Sequence, residues 1–514
     1  MSSANLPAAT AALLPAALML VALMPGRSLR DTAMAWLRLR VLAPMALAAA
    51  VLSLGLQLAG VSVQLPPGLG VSLTGAWVAV LVQLLGTVIG SFSSRYLQGE
   101  PGQPRYVAAL GGVLAAVHLL LLADHWVVLI AAWAAVGMAL QRLLCFYPER
   151  PFALLAAHKK RLADRMADVL LIVAAALAWH EVGSGSFPDL WRHLQAGPPS
   201  LALQASAVCL SLAVVLRTAL LPVHGWLMQV MEAPTPVSAL LHAGVVNLGG
   251  FVLIRFAPLL EAVPAARWLL VGLGLTTALL AGLVMMTRVS IKVRLAWSTA
   301  AQMGFMVMEC GLGLYTLAML HLIGHSLYKA HTFLAASGAV EDARLRMMRL
   351  PAAASVASLL LAPVAAAAVV GLLVAASPVA TWPMWWSGVL ALAWAPLFWW
   401  PGAATSSAPH AAPAALHAAG RVLAGAGMVA ALAVAALAGH ALPFGVKDAP
   451  DHAAGLFALA GMAVLYACIA TLQARPHGLA TWRRWSYAGF YVDEIATRAA
   501  LRLWPARWTP ATTR

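Results

Sequence analysis

The sequence predicts an all-α polytopic membrane protein with about 13–15 transmembrane helices. Its 514 residues are 62% hydrophobic and only 10% charged, whereas soluble domains average about 25% charged residues. The 40 Gly and 31 Pro residues lie inside apolar stretches, and both residue types are common in transmembrane helices. These observations exclude a soluble protein.

Apolar stretches of transmembrane length recur along the whole chain. About 20 residues of helix cross the roughly 30 Å of hydrocarbon in a bilayer. Fifteen stretches approach or reach this length, at 6–25, 41–63, 69–92, 107–123, 125–147, 166–180, 201–221, 235–258, 268–287, 295–310, 313–338, 352–376, 384–400, 422–442 and 453–473. The first lacks the basic region and cleavage site of a signal peptide, so we expect a retained helix.

The chain has a net charge of +15, and the distribution of its basic residues predicts how the helices are oriented. Lys and Arg gather in alternate connections, whereas the opposite loops hold only Arg192, Arg267 and Lys447. The positive-inside rule then predicts an N-terminus outside the cell and a cytoplasmic C-terminus. A nucleic-acid-binding protein would instead carry its basic residues on one soluble face.

The sequence contains no pattern typical of a catalytic or cofactor site. Its four cysteines, Cys145, Cys209, Cys310 and Cys468, lie in apolar segments without paired spacing, which favours neither disulfides nor a Cys-ligated metal. No cofactor fingerprint and no nucleophile–base set is present. We therefore expect a non-enzymatic subunit without a cofactor of its own.

A row of ionisable residues follows one face of the predicted span 313–338. His321, His325 and Lys329 are four residues apart and so share a helix face over about 12 Å. Imidazole and a buried amine can both exchange protons, which indicates a proton relay. Hydrogen-bonded packing between helices, or a zinc site on the two histidines, are alternatives.

A second polar row precedes it. Ser298, Gln302 and Glu309 follow steps of four and seven and share one face. Glu309 is the natural counter-charge for Lys329 or Arg217, unless it stays a neutral buried carboxyl. Two other intramembrane cations, Arg142 and Arg255, stand close enough to predicted helix ends to extend their side chains to the interface.

The segment 217–243 predicts a broken transmembrane helix. Pro222 removes a backbone donor after Arg217, and Pro234 and Pro236 start a new helix that carries Ser238 and His242 on one face. Interrupted helices with polar groups are how transporters build ion sites at the middle of the membrane.

This segment resembles the antiporter-like membrane subunits of respiratory complex I and of Mrp-type cation antiporters, in the NuoL branch. The resemblance covers about 85–340 and continues through Leu122-Ala-Asp124, Trp133, Val136-Gly137, Arg165-Met-Ala-Asp168, Arg288 to Thr299, Gln302-Met-Gly304 and His321 to Lys329. It implies two inverted five-helix repeats at 107–258 and 268–400, preceded by N-terminal helices at 1–106 and followed by C-terminal helices and a basic tail at 401–514.

The resemblance also implies an ion pathway. At several positions of that pathway this sequence differs from the family's pattern. Its predicted members are Lys329, His325, His321, His242, Arg217, Glu309, Asp168, Glu232 and Lys292. The family's intramembrane glutamate falls at Ala134, its first-half lysine falls at Arg217, and no lysine occurs between Lys329 and Lys447. Arg does not release its proton, so we expect Arg217 to pair with Glu309, Glu232 or Asp168, or with a transported anion.

The chain is similar above all to DabB-type membrane subunits of bacterial inorganic-carbon accumulation systems. That similarity is carried by its short length, the altered charges and the ending Trp485-Ser-Tyr-Ala-Gly-Phe-Tyr491-Val-Asp493-Glu494. It implies an inner-membrane subunit that admits protons, or sodium ions, to drive bicarbonate or CO2 accumulation. The implied partner is a cytoplasmic DabA-like protein resembling a β-carbonic anhydrase, which would hold the zinc.

Two alternatives remain open at this point. One is an ion-translocating subunit of a respiratory, hydrogenase or Mrp-type complex. The other is a non-conducting membrane anchor for a carbonic-anhydrase-like enzyme, which the residues Ala134 and Arg217 favour.

Overall fold

A computed structural model describes residues 5–23, 29–335, 354–377, 382–400, 414–475 and 479–505. Nine helices in these ranges are long and apolar enough to cross a membrane, and three further apolar helices are shorter. Each of the fifteen predicted spans overlaps a helix of the structure. The predicted all-α polytopic fold is therefore confirmed.

The described ranges contain 21 α-helices. In chain order they are α1 (Asn5–Ala22), α2 (Leu29–Leu58), α3 (Leu73–Tyr96), α4 (Gln103–Leu121), α5 (Trp126–Leu144), α6 (Pro151–Val182), α7 (Phe187–Ala196), α8 (Leu201–Arg217), α9 (Gly225–Gln229), α10 (Thr235–Ala243), α11 (Leu248–Arg255), α12 (Ala257–Ala262), α13 (Pro264–Thr287), α14 (Ile291–Leu312), α15 (Tyr315–Leu334), α16 (Val356–Ala376), α17 (Met384–Trp394), α18 (Ala414–His440), α19 (His452–Ala474), α20 (Ala480–Tyr487) and α21 (Val492–Leu503).

Local signals in the sequence set several helix ends. The Ser72 hydroxyl accepts a hydrogen bond from the Gly75 N–H at the start of α3, and the Asp451 carboxylate accepts one from the Ala454 N–H at the start of α19. Such side chains satisfy N–H groups that have no partner within the helix. Gly313, with φ of 78°, ends α14 in the left-handed conformation that glycine adopts without strain.

The core lies among the central helices, where α6 packs on α8, α13 on α14, and α10 on α15. The outer helices keep apolar faces exposed: Leu360 of α16 is 71% exposed and Leu423 of α18 is 73% exposed. These faces are suited to contact with lipid. The predicted repeats at 107–258 and 268–400 enclose most of α4–α11 and of α13–α17, and their inverted relationship stays a prediction.

Candidate ion pathway

Lys329 lies deep between α14 and α15. Its side chain is almost completely buried, with 1% of the residue exposed. The ammonium donates to the backbone carbonyl of Leu295 at 3.0 Å and to the hydroxyl of Ser298. Ser298 of the second polar row therefore contacts Lys329, and the ammonium is held by uncharged oxygens.

Glu309 contacts His321, which is about two turns from Lys329 on α15. Its Oε2 atom is 2.8 Å from Nδ1 of His321, and the His321 and His325 rings are 6.1 Å apart between centroids. The prediction that Glu309 is the counter-charge of Lys329 or Arg217 is therefore wrong. The physical reason is displacement along the helix: Glu309 is on the same face of α14 as Ser298 but eleven residues beyond it, about three turns and roughly 16.5 Å along the axis.

A cavity of about 790 Å³ runs beside this row. Ser298, Gln302, Glu309, His321 and His325 form its polar wall, and apolar side chains of α13 and α17–α19 form the remainder. Polar groups on one wall of an otherwise apolar cavity are typical of a binding or conduction space. Among the described residues, no group of three His, Cys, Asp or Glu side chains lies close enough to hold a metal ion.

His242 of α10 lies close to the same cluster. It is completely buried and stacks on Phe333 at 4.6 Å between ring centroids. The neighbouring Asn247 amide donates to the Ser326 hydroxyl at 2.7 Å, which joins the α10–α11 junction to α15. In the described part of the chain, neither ring nitrogen of His242 or His325 has a hydrogen-bond partner.

The helix break at Pro222 has the predicted position. Helix α8 ends at Arg217 and the chain becomes helical again at Gly225. The Leu221 N–H, which lies inside the break, donates to the Thr277 hydroxyl at 3.3 Å. Backbone outside a helix at membrane depth needs such partners. Pro234 and Pro236 flank the first residue of α10, as predicted.

Arg217 is bound at the start of this break. The guanidinium donates to the Asp168 carboxylate and, at 2.8 Å, to the backbone carbonyl of Trp133. It also lies 4.7 Å from the Trp133 ring centroid. Three acids were predicted as possible partners of Arg217, and Asp168 is the one that it contacts. A cavity of about 400 Å³, lined by Ala134 where the family has its glutamate, opens beside this pair.

A row of ion pairs along α6 leads towards Arg217. Lys160 donates to Asp164, one turn before Asp168, and Lys159 donates to Asp493 at 2.5 Å. The sequence analysis missed Lys159, Lys160 and Asp164. The four-residue spacing of Lys160, Asp164 and Asp168 was the available signal, because such residues share a helix face.

Two predicted site residues lie at the edge of the pathway. Lys292 donates to the Thr235 hydroxyl at 3.2 Å, at the first residue of α10. Glu232 lies in the short 3-10 turn Val230–Glu232, and its backbone carbonyl accepts a hydrogen bond from Arg150 at 2.8 Å. These two residues mark one end of the helix restart rather than its buried centre.

Arg255 does not simply reach the interface from the end of its helix. It donates to the Asp124 carboxylate at 2.7 Å, and its side chain is 22% exposed. Arg255 is the last residue of α11, near the helix end as expected, and it is paired there. An acid in the connection between α4 and α5 was close enough to offset its desolvation. Arg142 is exposed at the end of α5, as expected.

Comparison with known proteins decides the family. Residues 123–400 match the NADH:quinone oxidoreductase/Mrp antiporter transmembrane family. The chain is 38% identical over 455 residues to the probable inorganic carbon transporter subunit DabB of Hydrogenovibrio crunogenus, covering 85% of both proteins. The chain belongs to this antiporter family, in its DabB-type branch.

Other members of the antiporter family are similar over shorter regions. The probable inorganic carbon transporter subunit DabB2 of Halothiobacillus neapolitanus is 45% identical over 54% of this chain and 52% of that protein. NADH-quinone oxidoreductase subunit L of Mycobacterium tuberculosis is 33% identical over 53% of this chain and 43% of that protein. A chain of the Mrp complex from Dietzia sp. DQ12-45-1b has the same fold, with a TM-score of 0.59 and 24% identity over 96% of this chain and 60% of that one.

Proposed function

We propose that this protein is the ion-translocating membrane subunit of an inorganic carbon transporter. The observation that carries the proposal is the 38% identity to a probable inorganic carbon transporter subunit over 85% of both chains. Protons, or alternatively sodium ions, move through the chain and drive the accumulation of bicarbonate or CO2. The chain itself carries no catalytic site and holds no cofactor.

The buried polar groups of the second half supply the ion path in this proposal. Lys329 is bonded to a carbonyl and a hydroxyl, and His325 and His321 continue from it to Glu309. Each of these groups can hold or release a proton, and ionisable groups inside a membrane protein are functional by default. His321 and Glu309 then connect Lys329 to the large cavity.

The first predicted repeat, 107–258, has a different role in this proposal. Arg217 stays protonated at physiological pH, so its pair with Asp168 is a fixed ion pair rather than a switching one. We assign the pair to holding the helix break in position. This arrangement also favours a second candidate function, a non-conducting membrane anchor, because the lysine and glutamate of the family's first half are absent.

The proposal includes a partner and a location. By resemblance, a soluble DabA-type subunit related to β-carbonic anhydrases binds on the cytoplasmic side and holds the zinc. The chain spans the bacterial inner membrane with its N-terminus outside and its C-terminus in the cytoplasm, since its basic residues gather in alternate connections. A respiratory, hydrogenase or Mrp-type complex is the alternative assembly.

Uptake measurements test the function directly. The chain and its soluble partner are produced together, and each alone, in a bacterial host that cannot accumulate inorganic carbon. We expect uptake of labelled bicarbonate only with both proteins, and we expect an uncoupler of the proton gradient to abolish it. Full uptake by this chain alone would contradict the partner, and uptake that resists both the uncoupler and removal of sodium would favour the anchor.

A further inference from the structure

The C-terminal helices α20 and α21 dock on the transmembrane core at the helix break. Phe490 and Val492, at the junction of the two helices, pack against a buried cluster that contains Leu221 and Trp297. The Arg288 guanidinium lies 5.4 Å from the Trp297 ring and 5.2 Å from the Tyr487 ring. The end of the chain thus covers the segment that interrupts the first-half helix.

Asp493 at the start of α21 forms an ion pair with the transmembrane core. Its carboxylate accepts a hydrogen bond from Lys159 at 2.5 Å, and Lys159 also donates to the Thr497 hydroxyl at 2.8 Å. Lys159 is only 8% exposed. A buried ammonium without an anion would be strongly destabilising, so Lys159 holds α21 in place.

The same carboxylate lies directly on the residue where the broken helix resumes. A Cβ atom added to Gly225 would be 1.4 Å from Oδ1 of Asp493 and 2.4 Å from Nζ of Lys159. No side chain fits between the backbone at Gly225 and this ion pair. Glycine at this position is therefore what permits the tail to close over the break.

The link between the two helices favours release of the tail. Gly489, Phe490 and Tyr491 have φ values of 64°, 54° and 56°. Phe490 and Tyr491 are large residues in the left-handed region, which persists only where surrounding contacts hold it. Docking of α21 keeps the link in this conformation, and undocking lets it relax.

The ion pair of Asp493 and Lys159 lies at the start of the row of ion pairs along α6. Lys159 adjoins Lys160, whose partner is Asp164, and Asp168 with Arg217 follows one turn later. From position 159 to position 168 the helix rises about 13.5 Å. The row thus begins beside the docked Asp493 and ends at the pair that holds the helix break.

We propose that α20 and α21 form a gate on the first-half helix break, with Asp493 closing it on Lys159 and Gly225. This gate rests on the proposed ion translocation. Asp493 is a positioning residue here: with it docked, α20 and α21 cover the helix break at Leu221, and with it released, the break is uncovered. The neighbouring Glu494 is exposed and belongs to the same helical turn, so it serves as a matched control.

Hydrogen exchange of the full chain in nanodiscs measures docking itself. In Asp493→Asn, amides of residues 480–503 should exchange roughly ten- to a hundredfold faster, because the buried Lys159 ammonium loses the anion that pairs with it. Lys159→Met should have the same effect, and the double variant should be no faster than either single one. Glu494→Gln should match the native chain. Unchanged exchange in Asp493→Asn would overturn the proposal.

Ion flux separates a gate from a structural fastening. The full chain and its soluble partner are reconstituted in vesicles with a pH-sensitive dye. Asp493→Asn and Gly225→Ala should raise the uncoupled ion leak several-fold, whereas Glu494→Gln and Gly272→Ala should not. A Cβ atom at Gly272 meets nothing within 4 Å, which makes that variant the control for glycine replacement.

The outcomes distinguish the two proposals. One outcome is that the native complex moves ions while Asp493→Asn shows the same uncoupled ion leak as the native complex. In that case α20 and α21 have only a structural role, and the proposal of a gate is wrong. If the native complex moves no ions, the proposed function fails and the gate fails with it. If Gly225→Ala does not accumulate in membranes, Asp493→Asn and Lys159→Met decide the question alone.

Discussion

Glu309 contacts His321, with 2.8 Å between Oε2 and Nδ1, whereas Lys329 donates to the Leu295 carbonyl and the Ser298 hydroxyl. The acid and the amine of this site thus have separate partners and do not pair with each other. An ammonium held by neutral oxygens can release its proton without leaving a carboxylate unpaired beside it. This separation underlies the first prediction.

Lys329→Ala should abolish coupled carbon uptake, a loss of about a hundredfold or more, because a positioned proton-transfer group is removed. Lys329→Arg should also be inactive, since Arg keeps its proton. Uptake per amount of protein in the membrane is the measurement. His331→Ala, at an exposed position on the same helix, is the control and should be normal. Native uptake in Lys329→Arg would show that a fixed charge suffices.

The contact between Glu309 and His321 should appear as energetic coupling. Glu309→Gln and His321→Gln should each reduce uptake, and the double variant should lose no more uptake than the more impaired of the two single variants. Residues in direct contact typically couple by about 0.5–3 kcal/mol. A double-mutant cycle on uptake rates measures this coupling. Purely additive losses would mean that the two side chains act separately.

The spans and the helix break were predictable because both depend on signals local in sequence. Length and hydropathy locate a transmembrane helix, and Pro222, Pro234 and Pro236 interrupt or start helices wherever they occur. The structure accordingly has α8 ending at Arg217 and α10 beginning at Thr235.

Contacts between helices were less predictable. Whether Asp168 or Glu309 meets Arg217 depends on how two helices are rotated and translated, which the spacing within one helix does not determine. Asp493 lies 334 residues from Lys159 in sequence. No local pattern connects two such positions, although Asp493 and Glu494 stand out as acids in an otherwise basic C-terminal region.

The pair of Arg217 and Asp168 should dominate the stability of the first half. Asp168→Asn alone should cost about 3–5 kcal/mol, because it leaves the buried Arg217 without its paired anion. Arg217→Met should cost less, because Asp168 keeps Arg165 as a partner at 3.5 Å. The double variant should recover part of that loss. Membrane abundance and thermal unfolding in detergent are the measurements. Arg217→Met combined with Glu232→Gln should show additive losses, and coupling there instead of at Asp168 would contradict the observed pairing.

Asp448, in the connection between α18 and α19, fastens the helix that carries Lys329. Its Oδ1 atom accepts a hydrogen bond from the Thr316 N–H at 2.7 Å, in the first turn of α15. Burial raises the pKa of the Asp448 carboxyl, so a neutral amide of the same shape is no harder to bury than the carboxylate.

Asp448→Ala should therefore lower the free energy of unfolding by about 1 kcal/mol, the usual cost of losing a helix cap, and the melting temperature by about 1–3 °C. Asp448→Asn should keep most of the stability, because an Asn side-chain oxygen accepts the same bond. Lys447→Ala, at the exposed neighbouring position, is the control. Thermal unfolding of the purified chain gives the comparison. Equal melting temperatures for Asp448→Ala and the native protein would mean that the first turn of α15 is held by its packing and not by this carboxylate.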